Sequence, residues 1–464
     1  MTRRRSQTEH LATFALGLDV GDVPADVLES ARLHVLDTLG CGLAAHGLAA
    51  APHAAARCAG SAGAASAIGV ADRVSADAAA LNNGILCHAL DFDDTHAESI
   101  AHVSTVVVPA ALAAAQAFGA SGEELLAAVL VGSEVVCRIG IPAGDAFHHR
   151  GFHPTAICGI FGATVAVGHL AGLRPDEARR RSGDRGKPHR RRPAGVPRRG
   201  TETKPLHAGL MAQGAHTAVA LAAHGAHGPA AVLEGPKGLY DAFLQRPGLQ
   251  VPLDDLGVRW ETTRIAFKAY PMCHFMHPAL DALDALLTDG GMVPGDARRI
   301  TVLLPQAGVD MVLAPLELKR RPRTPYDAKF SAPFAIGALL ARGCVDLTAF
   351  DADALVDPAI LAYADVVEYE VRAYPSFPAA FAGGVRVERR DGSDVEHHVS
   401  AQRGSPERPL RPADVVAKYE RNACFALPAS SVEELRDWAL GIGERSDLEP
   451  LRLFEQAQAA EAFA

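Results

Sequence analysis

A chain of 464 residues is long for one hydrophobic core, so two domains or more are expected. Hydrophobic residues make up 48% and charged residues 21%, an ordinary globular balance that excludes disorder on a large scale. The net charge of -9 excludes a globally basic nucleic-acid binder.

The N-terminal "MTRRRSQTEHLATFALGL" starts basic, but Gln7, Glu9 and His10 interrupt it, and no signal-peptide core with a cleavage site follows. Residues 1 to about 260 read as helix after helix. "PADVLESARLHVLDTLGCGLAAHG" (24–47) has a proline start, helical apolar spacing and a terminal glycine. The longest apolar run, "VSTVVVPAALAAAQAFGA" (103–120), is mostly alanine and contains Pro109 and Gln116. It falls short of the roughly 20 strongly apolar residues of a membrane span. It reads as a buried helix that Pro109 helps start. "SGEELLAAVLVGSEVVCRIG" (121–140) has a serine cap, early acids and a glycine stop. "GLMAQGAHTAVALAAHG" (209–225) is rich in small residues, which lets helices approach closely. A soluble, cytoplasmic protein with no membrane partner is expected.

From about residue 261 the texture changes. "RRITVLLP" (298–305), "VVEYEVR" (366–372) and "AGGVRVERRDGSDVEHHVS" (382–400) read as strands, the last with a hairpin turn at "RRDG". "FSAPFAIGALLARG" (330–343) and "FDADALVDPAILAYA" (350–364) read as helices between them, and residues 431–456 return to helix. The fold class is therefore mostly α with an α+β second domain. A large all-helical domain (1–264 and 406–464) carries a smaller α+β lid domain (265–405).

Titratable groups crowd into "HALDFDDTHAESIAHVS" (88–104). Drawn as a helix, His88, Asp91, Thr95 and His102 share one stripe. Asp91, Asp93 and Asp94 would suit a hard cation. Acid/base chemistry in a cleft and a solvated loop are the other readings. "RGFHPTAICG" (150–159) places His153 at a loop-to-helix junction. "TKPLHAGLMAQG" (203–214) places Lys204 and His207 at a helix start, where free N–H groups attract anions. "FKAYPMCHFMHPALDAL" (267–283) gathers Lys268, Tyr270, Cys273, His274 and His277 where the texture changes, and clefts form at domain junctions. Cys273 and His277 could be zinc ligands or a nucleophile pair, but no second ligand pair or acyl-transfer signature accompanies them. The eight cysteines have no CxxC spacing and read as free buried thiols.

Taken together and in order, these segments resemble the MmgE/PrpD family. "HxxDFDDT" matches His88–Thr95, "G[FW]HPT" matches Gly151–Thr155, and "KxLHxG" matches Lys204–Gly209. "GPxxxLEGxxG" matches Gly228–Gly238, "KxYPxCxxxH" matches Lys268–His277, and "YxAKFS" matches Tyr326–Ser331. The usual His-Pro-Ser is here His102-Val103-Ser104. The resemblance implies a helical body with an α+β lid, a site between them, a homodimer, and no metal or other cofactor. It also implies a small polycarboxylate substrate, with dehydration, decarboxylation or epimerisation as the reaction. His102, His153, Lys204, Lys268, His277 and Tyr326 become the catalytic candidates. Asp91, Thr95, Lys204, His207 and Lys268 become the substrate-binding ones. Lysines can hold carboxylates by charge-assisted hydrogen bonds, and an imidazole can move a proton at the carbon beside one. His102 is the expected principal acid/base.

One segment does not fit. "ARRRSGDRGKPHRRRPAGVPRRGTETK" (178–204) has ten Lys/Arg between Arg179 and Arg199, where the family has an apolar helix. One base on, "PAGVPRR" can be encoded as Leu-Leu-Glu-Phe-Leu-Ala-Asp/Glu. This suggests a compensated frameshift across roughly 180–200, and with it an inactive family member as an alternative. A basic arm for nucleic acid is disfavoured, because the basic run is confined and the rest of the chain is acidic.

Overall fold

Alanine and glycine set the packing of the first half. In this computed structural model, which describes residues 5–173, 203–229, 231–445 and 447–459, the long helices of the body's first half are α1 (Ala25–Gly47), α2 (Ala76–Ala89), α3 (Ser104–Phe118), α4 (Gly122–Gly140), α5 (Pro154–Leu170) and α6 (Thr203–Ala223). Gly84 of α2 lies against Gly209 of α6, where an added Cβ would stand 2.8 Å from the Gly209 Cα. Gly132 of α4 and Gly162 of α5 meet in the same way. Side chains at these positions would force the helices apart, and with them the residues at the helix ends. Ser121 caps α4 in a capping box with Glu124.

A short antiparallel pair, β1 (Thr95–His96) with β2 (Ile265–Ala266), ties the aspartate-rich segment to the chain entering the second domain. That domain holds α7 (His277–Thr288) and a sheet of β3 (Ala297–Leu304), β4 (Val367–Val371), β5 (Gly383–Arg389) and β6 (Asp394–Val399). The spatial order is β4-β3-β5-β6, with only the β3–β4 pair parallel. Ile300 faces Val367 and Val302 faces Val385, so one sheet face is apolar and packs on α7. Helices α8 (Ala332–Arg342) and α9 (Pro358–Asp365) complete this core. Helices α10 (Pro412–Ala423) and α11 (Ala429–Leu440) then return to the body, where Tyr419, Leu435 and Trp438 join its core. The molecule is a large helical domain with an α+β domain.

Local readings differ at several points. Helix α3 begins at Ser104 and contains Pro109 as its sixth residue, so the proline does not start it. The reading of 350–364 as one helix is broken by Pro358, which starts α9 after Asp357 caps it. Regular helix in the tail ends at Leu440, and Glu449–Gln456 is a 3-10 turn. Six cysteines are buried and free, but Cys344 and Cys424 are exposed. Most of the basic segment 178–204, including the suspected frameshift, lies outside the described residues. No helix among the described residues is long and apolar enough to cross a membrane.

Candidate active site

The helical stripe drawn for 88–102 does not form. Helix α2 ends at Ala89, and Asp91 turns the chain with a positive φ of 53°. That left-handed conformation is uncommon for a residue with a side chain, though Asp tolerates it better than most. The turn is held from below. Lys418 of α10 donates to the Phe92 carbonyl at 2.8 Å and pairs with Asp37 of α1. Asp94 accepts from the Ser104 backbone at 3.1 Å and lies 2.8 Å from His34 Nδ1. So the segment is wound inward by polar contacts, with Asp91, Asp93 and Asp94 all buried.

Two lysines converge on Asp91. Helix α6 brings Lys204, whose ammonium bonds Asp91 Oδ1. The chain after β2 brings Lys268, 3.2 Å from Oδ2 and donating to the Asp91 carbonyl at 2.7 Å. Burial alone would raise the Asp91 pKa, but Lys204 and Lys268 outweigh it and hold the carboxyl well below its usual range. Burial likewise opposes the charge of Lys204, and Asp91 and Asp93 reverse that to raise its pKa.

Four imidazoles stand beside this cluster. His102 Nδ1 lies 3.1 Å from Asp93 Oδ2, 2.9 Å from the Asp94 carbonyl and 3.3 Å from Thr95 Oγ1. His88 Nδ1 lies 2.8 Å from the same Asp93 oxygen. His153, at the start of α5, stacks 5.7 Å from His88 and meets His207 through their Nδ1 atoms at 3.2 Å. Burial, then the Lys204 ammonium, hold His102 down at about 4 against the pull of Asp93. Burial, then His88 and Lys204, keep His153 well below its usual range. Both rings are neutral at pH 7.

A cavity of about 370 Å³ opens between the two domains. Asp91, Thr95, His102, His153 and Lys204 line it from the body, and Tyr326 from the lid. Thus six of the expected residues share one wall system. Three stand behind it. Lys268 is fully buried under Asp91, and His207 backs His153. His277 sits 4.4 Å behind His274, with Nε2 at 3.3 Å from the Met272 carbonyl. The cavity is therefore lined by none of Lys268, His207 and His277. Burial at the end of a ten-residue motif cannot be read from spacing, and α7 begins at His277, which turns its ring into the lid.

His274 lines the cavity instead, and neither of its buried ring nitrogens has a hydrogen-bond partner among the described residues. The buried Tyr326 hydroxyl is likewise unpartnered there. Burial, then His277, keep His274 neutral, while burial and Asp91 push the Tyr326 pKa up. Sequence reasoning passed over other parts of the lid wall, among them Asp310, Met311, Arg321 and Arg323. Their stretch carries no motif. The adjacent "YxAKFS" was its only signal.

Among the described residues, two groups have ligand atoms near enough for a metal ion: His88, His102 and His153, and Asp91, Asp93 and His102. The acidic group is already engaged, Asp91 by two ammonium groups and Asp93 by two imidazoles. Cys273 also lines the cavity, but burial raises its thiol pKa and keeps it protonated, which disfavours a nucleophile.

This architecture has known relatives. The MmgE/PrpD N-terminal domain matches residues 9–252 and the MmgE/PrpD C-terminal domain matches residues 270–441. The chain belongs to the MmgE/PrpD family. It is 29% identical to cis-aconitate decarboxylase of Homo sapiens, over 93% of this chain and 90% of that one. It is 26% identical to the Aspergillus terreus (strain NIH 2624 / FGSC A1156) cis-aconitate decarboxylase, over 96% and 94%. A cis-aconitate decarboxylase-like protein of Aspergillus oryzae (strain ATCC 42149 / RIB 40) is 27% identical, over 96% of both chains.

Proposed function

We propose that this chain is a metal-independent lyase for a small di- or tricarboxylate, of the cis-aconitate or 2-methylcitrate kind, working as a homodimer. The observation that carries this reading is the cavity in which a neutral His102 imidazole and the Lys204 ammonium share one wall. The decarboxylase names of three relatives favour loss of carbon dioxide over loss of water.

The environments divide the labour. Lys204 and Tyr326 keep their protons at neutral pH, and His102, His153 and His274 are free bases. Lys204 holds a substrate carboxylate and stabilises charge growing beside it. Asp91 and Lys268 keep Lys204 in place. In decarboxylation the bond to one carboxylate breaks, carbon dioxide leaves, and the electron pair spreads into the remaining unsaturated acid. A protonated group then returns a hydrogen to carbon. In dehydration His102 takes the proton next to a carboxylate, and an acid from the lid, Tyr326, protonates the departing hydroxyl. Lid residues 265–405 complete the site over the body.

The test is incubation with cis-aconitate, 2-methylcitrate, citrate and iminodisuccinate in D2O, read by mass spectrometry. Consumption of one acid is expected: decarboxylation lowers the mass by carbon dioxide and brings one deuterium to carbon, dehydration lowers it by water and brings none, and an epimerase would exchange hydrogen without changing product mass otherwise. No acid consumed, or unimpaired turnover by His102→Ala, sinks the reading.

A further inference from the structure

We propose that Asp93 is the positioning residue of the proton-transfer base: its carboxylate fixes the Nδ1–H tautomer of His102 and turns the basic Nε2 toward the cavity. This rests on the reading of His102 as that base.

The tautomer follows from the partners. Within 3.1 Å, His102 Nδ1 faces the Asp93 carboxylate and the Asp94 carbonyl. A carboxylate and a carbonyl can only accept, so Nδ1 must carry the hydrogen. The lone pair of the neutral ring then sits on Nε2, at the opposite edge of a ring that lines the cavity. The third neighbour, Thr95 Oγ1 at 3.3 Å, is a weaker contact. With Nδ1 protonated it can only accept there, and its own hydrogen is left for a ligand in the cavity that Thr95 also lines.

Asp93 is built to stay ionised and still. It has no exposed surface. Its Oδ2 lies 2.8 Å from His88 Nδ1 and 3.1 Å from His102 Nδ1, so both imidazoles converge on one carboxylate oxygen. Their rings meet edge to face at 4.7 Å. Burial opposes the charge, but His88 and His102 outweigh it and keep the carboxyl well below its usual range. His88 thus serves Asp93 as Asp93 serves His102. A fixed carboxylate behind an imidazole sets tautomer and orientation, and losing it costs catalysis while binding is largely kept.

The experiment uses the full chain with 15N-labelled histidine. Nitrogen chemical shifts report the tautomer, and the His102 signals are assigned by their loss in His102→Gln. The wild type is expected to show His102 as Nδ1–H. Asp93→Asn removes the charge and can offer an N–H to Nδ1, so the tautomer is expected to shift toward Nε2–H, opposed by the Asp94 carbonyl at 2.9 Å that still accepts from Nδ1–H. Its kcat is expected to fall roughly a thousandfold or more, with KM changed only a few-fold. A wild-type Nε2–H tautomer overturns the proposal, whether or not the variant folds. So does a folded Asp93→Asn enzyme with wild-type kcat. A wild-type chain with the Nδ1–H tautomer that consumes none of the acids supports the positioning and overturns the functional reading.

Discussion

Lys268 holds both the backbone and the side chain of Asp91: its ammonium donates to the carbonyl at 2.7 Å and stands 3.2 Å from Oδ2. The grip explains how a left-handed turn survives at a residue with a side chain. Lys268→Met removes a fully buried cation and leaves the Asp91 carbonyl bare. Breaking a buried pair costs about 3 kcal/mol. The urea midpoint should fall accordingly, and turnover should be lost with it, because Lys204 then binds a displaced carboxylate.

The pH profile should betray the buried base. His102 is held at about 4, below the ordinary 6.5. The acid limb of kcat/KM is therefore expected near pH 4. The same shift has a sign for stability. Between 6.5 and 4 the unfolded chain binds a proton at His102 that the folded chain does not. Its contribution is complete above 6.5 and is lost as pH falls through 4. His102→Gln should flatten the fall of unfolding free energy with acid by up to one proton. An acid limb at 6.5 in the wild type contradicts this account.

His274 and His277 should separate cleanly. His274→Gln removes a cavity-lining ring and should lower kcat by about a hundredfold, the usual scale for an acid/base group. His277→Gln alters a ring packed under the lid against Tyr270 and His274. It should lower the melting temperature, with a smaller kcat loss than His274→Gln. Steady-state kinetics and thermal melts on both variants give the comparison, and the reverse order of kcat losses counts against it.

Chelation should change nothing. Positive charge at Asp91 is supplied by Lys204 and Lys268. Dialysis against EDTA should leave turnover of the consumed acid within error of the untreated enzyme. A loss restored by adding back one divalent ion favours the His88, His102 and His153 group as a working metal site.

Much of this site was legible because several short motifs carry their chemistry in residue type. Asp91, His102, His153, Lys204 and Tyr326 meet at one cavity although they span α2 to the lid. What periodicity missed was the turn itself. A stripe assumes that helix continues, and nothing in residue spacing announces a positive φ at Asp91. Asp93 looked like a cation ligand because its partners, His88 and His102, are distant in sequence terms from any helical pairing with it. His277 looked catalytic because it ends a motif, whereas its ring packs against Tyr270 and His274 and does not line the cavity. The strands and the hairpin were readable from alternation, since the sheet has one apolar face.

Lys418 reaches the carbonyl of Phe92 across a sequence separation of 326 residues. With that strut among its supports, the aspartate turn is complete only once α10 has left the ribosome. A nascent chain carrying every motif from His88 to Tyr326 would still lack the underside of its reactive floor. Termination just before residue 418 would remove this strut together with Tyr419, Leu435 and Trp438, so the tail ties the packing of the body and the shape of its reactive floor to the same last helices.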